Sequence, residues 1–216
     1  MRLLLIDHAN CDHDHTPAHH YRAALGQLGI TASVCGPASI PQLEQQHTGM
    51  YGIHLHAIAA ASHDFLAAVR DGSAEEFLRV IPRLSPRLLG SIRETSRQLI
   101  AEALDATDPD VIFVLRAGIL TDLAVETGAP VVVHVSQTDL AAAAAKPLMQ
   151  KLVSRAIGSC EVVIAADAAT ADALRQNGWL GNDASDQIEI WPLGPQSSEQ
   201  IAAACRAAVT SRRGGE

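Results

Sequence analysis

Short apolar runs and longer amphipathic stretches alternate along the chain. A continuous apolar run that ends in polar or turn residues is typical of a strand buried on both faces of a sheet. The first run, Leu3–Ile6, has this pattern, and Ala129–Val135, "APVVVHV", shows it most clearly. The predicted strands are Leu3–Ile6, Thr31–Cys35, Tyr51–Ile58, Asp110–Leu115, Ala129–Val135, Glu161–Ala165 and Gln187–Trp191.

Helices are predicted in most of the segments between these strands. Thr16 is predicted to cap the first helix, with Pro17 at its first position. The other predicted helices are Glu75–Leu104 with breaks near Pro82 and Pro86, Gly118–Thr127, a helix within Asp139–Ile157, Ala168–Asn177 and Ser198–Val209. The alternation predicts an α/β, Rossmann-like domain, in which a parallel sheet of about six or seven strands has helices on both faces. We expect Leu3–Ile6, Asp110–Leu115 and Ala129–Val135 at its centre, because they are the most continuously apolar.

Length and composition narrow the function classes. The 216 residues suffice for one full core, and we expect one domain over 1–195, followed by a C-terminal helix and tail over 196–216. A net charge of −8 and an aromatic content of 3% argue against nucleic-acid binding, because the chain would repel phosphates and offers few rings for stacking. No apolar run approaches the roughly 20 residues of a membrane span. The four cysteines have no CxxC spacing, which indicates reduced thiols and a cytoplasmic protein.

The loop after the first predicted strand is dense in polar side chains, as the stretch "LLLIDHANCDHDHTPAHH" shows. Histidine and aspartate are zinc ligands, but the loop has no recognised ligand spacing, so we predict no metal site. The alternatives are a loop that binds phosphate or a sugar and a loop that is merely solvated. Because ligands of parallel sheets bind beyond the carboxyl ends of the strands, we expect His8, Asn10 and Cys11 to face a cleft. Residues 12–15 are expected to project into solvent.

Further polar side chains follow two other predicted strands, at the same edge of the sheet. Arg116 comes directly after a buried strand, where a guanidinium can hold phosphate or carboxylate, although a surface arginine is the plain alternative. His134, Ser136, Gln137 and Asp139 come at the end of "APVVVHV" and just after it. Convergent polar groups of this kind favour a small-molecule cleft. Asp139 is equally consistent with an acid that interacts with a helix dipole.

Three segments carry a resemblance to a known family. They are "DVIFVLRAGILTDLAVETGAPVVVHVSQTDL", "CEVVIAADAATADALRQNGW" and "IEIWPLGP". Together they resemble the N-terminal domain of GT-B glycosyltransferases, especially the large retaining family 4, and the first 36 residues fit as well. The sequence departs from the family pattern where Ser136 replaces the usual histidine and Gln137 the glycine, with Asp139 at the aspartate position. The opening loop also lacks the glycine pair of the family.

The resemblance implies half of a GT-B fold, without the C-terminal domain that carries the nucleotide-sugar site. The segment "SSEQIAAACRAAVTSRR" resembles the terminal helix that crosses back to the first domain in two-domain members. The implied function is acceptor binding in an enzyme that transfers a sugar from a nucleotide sugar to an acceptor hydroxyl, with no further cofactor. The alternatives are a non-catalytic binding protein and a small metal-dependent enzyme that uses the opening loop.

A missing second domain also implies exposed apolar surface. We expect apolar side chains near the C-terminal end of the segments that resemble the family to face water. Exposed apolar patches of this kind mark interaction sites. These side chains are Trp179, Leu180, Trp191 and Leu193. The sequence therefore predicts a homo-oligomer or a partner chain that carries the nucleotide domain, with Trp191–Pro195 near the contact.

Overall fold

A seven-stranded parallel sheet forms the centre of the molecule, with the strand order β3-β2-β1-β4-β5-β6-β7. The computed structural model describes residues 1–9, 11, 16–38, 49–55, 62–71, 73–176, 178–180, 188–194 and 196–213. The strands are β1 (Arg2–Ile6), β2 (Thr31–Ala38), β3 (Met50–His54), β4 (Val111–Val114), β5 (Val131–Val135), β6 (Val162–Ala165) and β7 (Ile188–Ile190). The predicted α/β class and the parallel sheet are confirmed.

The three strands predicted for the centre occupy the middle positions of the sheet. β4 and β5 are buried along their whole lengths, and in β1 only Arg2 is exposed. β4 pairs with β1 on one side and with β5 on the other. The strand order reverses between β1 and β4, and such a switch point opens a crevice beyond the carboxyl ends of the strands.

Helices cover both faces of the sheet. They are α1 (Pro17–Gln27), α2 (His63–Asp71), α3 (Ala74–Val80), α4 (Pro86–Thr107), α5 (Ile119–Glu126), α6 (Gln137–Ala144), α7 (Pro147–Ile157), α8 (Ala168–Gln176) and α9 (Ser198–Arg213). One apolar cluster joins Ile92 of α4 and Leu120 of α5 to one sheet face, and a second joins Leu25 of α1 and Ile201 of α9 to the other. The C-terminal helix is thus part of the domain core. No helix in the described ranges is long and apolar enough to cross a membrane.

Three elements differ from the sequence prediction. The segment Asp139–Ile157 contains most of α6 and the whole of α7, because Pro147 lacks the N–H that a continuous helix needs and instead begins α7. The helix His63–Asp71 was not predicted. The third strand ends at His54, and residues 56–58 of the predicted strand lie outside the described residues.

The expected exposure of the tryptophans is wrong. Trp179, Leu180 and Trp191 are 4%, 9% and 8% exposed, and Leu193 is half-buried. The indole of Trp191 packs near the His134 ring, with ring centroids 6.2 Å apart, and its Nε1 donates to Glu189 at 2.8 Å. These side chains therefore do not form the exposed apolar patch on which the predicted self-association was based. The oligomeric state and the partner chain stay predictions.

Candidate functional site

A cavity of about 310 Å³ lies at the carboxyl edge of the sheet, and we call it the edge cavity. Its walls come from the ends of five strands, from the start of α1 and from the residue that begins α3. They are formed by Asp7, Pro17, Tyr21, Ala74, Leu115, Arg116, His134, Ser136, Ala166, Pro192 and Leu193. The cavity spans the switch point between β1 and β4, which is the place where parallel α/β sheets bind their ligands.

Asp7 brings a buried carboxyl group to the edge cavity. It follows β1 directly and is 2% exposed. Its Oδ1 accepts a hydrogen bond from the Ala9 N–H at 3.1 Å, whereas its Oδ2 has no partner among the described residues. Burial raises the pKa of Asp7, while the backbone of Ala9, the charge of Arg116 and the backbone of Ala18 oppose that rise.

The position of Asp7 also changes what the start of α1 can bind. Thr16 occupies the N-cap position, but its hydroxyl makes no capping hydrogen bond. The Ala18 backbone in the first turn instead interacts with the Asp7 carboxyl group. Because this carboxyl group lies where the helix dipole would attract an anion, the site favours a hydrogen-bond donor such as a hydroxyl over a phosphate.

His134 brings a neutral imidazole to the same cavity. It lies in β5, is 4% exposed, and neither ring nitrogen makes a hydrogen bond of normal geometry with a described residue. Burial and then the charge of Arg116 lower the pKa of His134 to about 4, although the backbone of Leu115 and Trp191 favours the charged ring. A neutral imidazole has one donor and one acceptor nitrogen, so it can bond a hydroxyl group in either sense.

Arg116 is fixed in place by its neighbours on α6. Its Nε donates to Asp139 Oδ1 at 2.8 Å, and its Nη2 donates to Thr138 Oγ1 at 2.9 Å. The Asp139 side chain is fully buried, and its other oxygen accepts from the Ser136 N–H at 2.9 Å. Burial raises the pKa of Asp139, while the charge and hydrogen bonds of Arg116 oppose that rise. Asp139 therefore serves as an internal anchor for Arg116 and for the start of α6.

Ser136 and Gln137 begin α6 at the edge of the cavity. Ser136 is the N-cap of this helix, and its hydroxyl accepts from the Asp139 N–H at 3.4 Å. It also lines the edge cavity. Gln137 is exposed and does not line the cavity. Ser136 and Asp139 thus form a capping box, and Asp139 lies in the first turn of α6, where the dipole alternative placed an acid.

The structure places His8 and Cys11 away from the edge cavity, in contrast to the expectation. The His8 side chain is fully buried against Phe77, and its Nε2 accepts from the Leu120 N–H at 3.2 Å. The buried Cys11 thiol donates to the Gly36 carbonyl at 3.4 Å. Asn10 and the predicted solvent-facing residues 12–15 lie outside the described residues.

The sequence analysis did not select two polar residues of the cavity wall, Asp7 and Tyr21. Asp7 directly follows a buried strand, so its position already indicated this edge. Tyr21 lies one turn into α1, and its hydroxyl donates to the Gly194 carbonyl at 3.1 Å. This bond connects α1 to the segment between β7 and α9, a contact that no local pattern indicates.

Metal ligands do not cluster in the part of the chain that the structure describes. Within those ranges, no group of three or more His, Cys, Asp or Glu side chains could hold an ion. Most of the opening loop lies outside them.

Two buried histidines make the stability of this edge depend on pH. Burial and the Arg116 charge lower the pKa of His8 to about 3 and that of His134 to about 4, from 6.5. Between pH 6.5 and the folded pKa, the unfolded chain binds these protons and the folded chain does not, so stability falls as pH falls. Asp7 and Asp139, with raised pKa values, act in the opposite direction.

The His134→Gln variant isolates one of these contributions. We expect its free energy of unfolding to fall less steeply between pH 6.5 and 4.5, by up to about 1 kcal/mol per pH unit relative to the parent chain. Urea unfolding across this range measures the difference. The His63→Gln variant is the control, since the His63 side chain is 95% exposed, and it should keep the parent slope. Equal slopes for the parent and His134→Gln would contradict the placement of a neutral, buried His134.

Comparison with known proteins gives a structural similarity but no match in sequence. No protein-family model matches the sequence, and no curated protein matches it. Among solved structures, the chain is similar to the UDP-GlcNAc 2-epimerase from Neisseria meningitidis, crystallised with UDP-GlcNAc bound, with a TM-score of 0.49 and 14% sequence identity. The similarity covers 94% of this chain and 50% of the epimerase chain, so this chain spans half the length of that enzyme.

Proposed function

We propose that this chain is the acceptor-binding half of a glycosyltransferase, and that the edge cavity holds a hydroxyl-bearing acceptor. In this proposal, a partner domain or chain supplies the nucleotide sugar, and the sugar is transferred to an acceptor hydroxyl. The sequence resemblance of Asp110–Pro195 to acceptor-side domains suggests the reaction class. The chemistry of the cavity suggests the ligand.

The observation that carries the proposal is a set of buried polar atoms without partners in one cavity. These atoms are Asp7 Oδ2 and both ring nitrogens of His134, among the described residues. Each buried polar group without a hydrogen bond costs about 1–3 kcal/mol, so a ligand that satisfies them recovers that free energy. A ligand with several hydroxyls fits, because a hydroxyl donates to a carboxylate and both donates to and accepts from a neutral imidazole.

The fixed position of Arg116 supports the same ligand class. Two of its guanidinium nitrogens are engaged by Asp139 and Thr138. Its charge is therefore largely balanced within the protein, and it forms a rigid wall for the cavity. This arrangement favours a neutral polyhydroxy group over a free anion.

The test is binding of methyl glycosides to the full chain by titration calorimetry, using methyl glucoside, galactoside, mannoside and N-acetylglucosaminide. We expect at least one of them to bind, and we expect Asp7→Asn and His134→Gln each to weaken it at least about 10-fold, the equivalent of one hydrogen bond to a buried group. Circular dichroism confirms that each variant is folded. The controls Asp172→Asn and His63→Gln change exposed side chains and should bind like the parent.

Two results would contradict the proposal. Equal binding by the parent and both cavity variants would show that the glycoside binds elsewhere. Nucleotide release from a panel of nucleotide sugars by this chain alone would show that no partner half is needed. Glycoside binding without turnover, even with a nucleotide-binding partner supplied, would instead favour the non-catalytic binding protein.

A further inference from the structure

A second concavity, the side groove, opens between α3 and α6 with a volume of about 570 Å³. Its floor is apolar and consists of Leu78 and Pro82, of Ala141 and Ala142 on α6, and of Ala145, the C-cap of that helix. Leu78 and Pro82 are buried, while Ala141 and Ala145 are exposed. The groove therefore offers methyl and methylene groups to an occupant in a part of the surface that helix packing leaves open.

The side groove and the edge cavity adjoin each other. Arg116 lines both of them, and the successive residues Ala74 and Glu75 line one each. Thr138, which accepts a hydrogen bond from Arg116, lies in the groove wall. A single ligand that passes the fixed guanidinium can thus reach from buried polar groups on one side to an apolar floor on the other.

The charges on the rim of the groove are balanced. Glu76 accepts two hydrogen bonds from Arg79 Nε, the shorter at 3.0 Å. These bonds lower the pKa of Glu76, and the charge of Arg83 also lowers it. Glu75 lies 3.8 Å from Arg116, which Asp139 already pairs. With two acidic and two further basic side chains on the rim, the groove selects neither a cation nor an anion, so its chemistry suits a neutral apolar chain.

We infer that the side groove holds the apolar part of the ligand whose hydroxyl-bearing head lies in the edge cavity. The acceptor is then an amphiphile, a hydroxylated head on an aliphatic chain. This inference rests on the function proposed above and specifies its substrate class. Burial of each methylene against this floor should tighten binding by about 2- to 4-fold, the lower end applying where the groove is open to water.

The experiment takes the sugar whose methyl glycoside binds most tightly and compares its methyl, butyl, hexyl and octyl glycosides, each below its micelle concentration, on the full chain by calorimetry. We expect Kd to fall steadily with chain length. The Ala141→Phe variant, which fills the groove with a ring at an exposed helix position, should abolish this dependence and leave binding of the methyl glycoside unchanged. Its matched control is Ala144→Phe, since Ala144 is exposed on the same helix but does not line the groove.

The outcomes separate this inference from the proposed function. Binding that is sensitive to Asp7→Asn but independent of chain length would show that the alkyl chain does not bind in the side groove, while the head still binds in the edge cavity. Chain-length dependence that persists in Ala141→Phe would also show that the alkyl chain does not bind in the side groove. If Kd depends on chain length but is unchanged by Asp7→Asn and by His134→Gln, the head does not bind in the edge cavity. That result would overturn both the proposed function and the two-part ligand. Parent dimers that Ala141→Phe dissociates in sedimentation would show that a second copy occupies the groove. Failure of all four methyl glycosides and of their longer alkyl forms to bind would overturn both proposals.

Discussion

Replacement of Arg116 by alanine should lower the free energy of unfolding at neutral pH by about 3–5 kcal/mol, because it leaves a fully buried carboxylate without its cation. Asp139 would keep its bonds to the Ser136 and Ala117 N–H groups but lose the charge that opposes the effect of burial on its pKa. The loss should shrink at acid pH. Without Arg116 the folded pKa of Asp139 rises further. The destabilisation therefore shrinks as pH falls from this folded pKa towards the lower pKa of the unfolded chain, and it is complete only above the folded pKa.

Denaturant unfolding at several pH values measures this loss. The double variant Arg116→Ala/Asp139→Asn should recover part of the stability, since an amide oxygen still accepts from the backbone and carries no charge. Arg175→Ala is the matched control: its pair with Asp172 is exposed, 3.5 Å long and on α8, so the change should stay within about 0.5 kcal/mol. An Arg116→Ala loss as small as the control would show that the Arg116–Asp139 pair is not buried as described.

Gly118→Ala should destabilise the fold by about 2–3 kcal/mol, through overpacking at the start of α5. A Cβ at Gly118 would lie 2.6 Å from His8 Nε2 and in close contact with Leu78 Cδ2. The leucine methyl can move, but the His8 ring is held by the Leu120 N–H and by Phe77. The strain therefore falls on the ring that fills the space between β1 and α5.

A double-variant cycle assigns this strain to His8. In a His8→Ala background, Gly118→Ala should cost at least about 1 kcal/mol less than in the parent chain, because the ring is gone. Gly90→Ala is the control, since a Cβ there meets nothing within 4 Å; in the interior of α4 it should stabilise by about 0.5–1 kcal/mol. Equal costs of Gly118→Ala with and without His8 would contradict the position of this ring.

The fold was predictable because its central strands are buried on both faces. Leu3–Ile6, Asp110–Leu115 and Ala129–Val135 are the most continuously apolar runs, and each coincides with a strand from the middle of the sheet. The alternation of strands and helices then predicted parallel pairing. Because ligands of parallel sheets bind beyond the carboxyl ends of the strands, this edge was the expected position of the candidate site. The helix His63–Asp71 was missed although its sequence has local helix signals. Ser62 accepts a hydrogen bond from the Phe65 N–H, and Asp64 and Arg70 lie in the first and last turns.

The sheet edge at which the edge cavity lies was predictable from the sequence, but the individual contacts of its residues were not. Asp7 and His8 are neighbours at a strand end, where successive side chains point to opposite sides, so composition alone does not say which one faces the cavity. In the structure Asp7 lines the cavity and His8 fills the core. The burial of Trp191 depends in the same way on tertiary packing, since the segment that follows it is bound by Tyr21 of α1.

The measurement that tests the central claim most directly is the response of the His134 ring to ligand. Histidine-selective ¹⁵N labelling with NMR detection reports each imidazole in the full chain while the tightest-binding methyl glycoside is added. A hydroxyl ligand in the edge cavity should shift the His134 ring nitrogens in proportion to its occupancy, and the ring should remain neutral at pH 6 because burial lowers the His134 pKa to about 4. Saturable shifts at other histidines, with His134 unchanged, would show that the glycoside binds outside the edge cavity and would contradict the account.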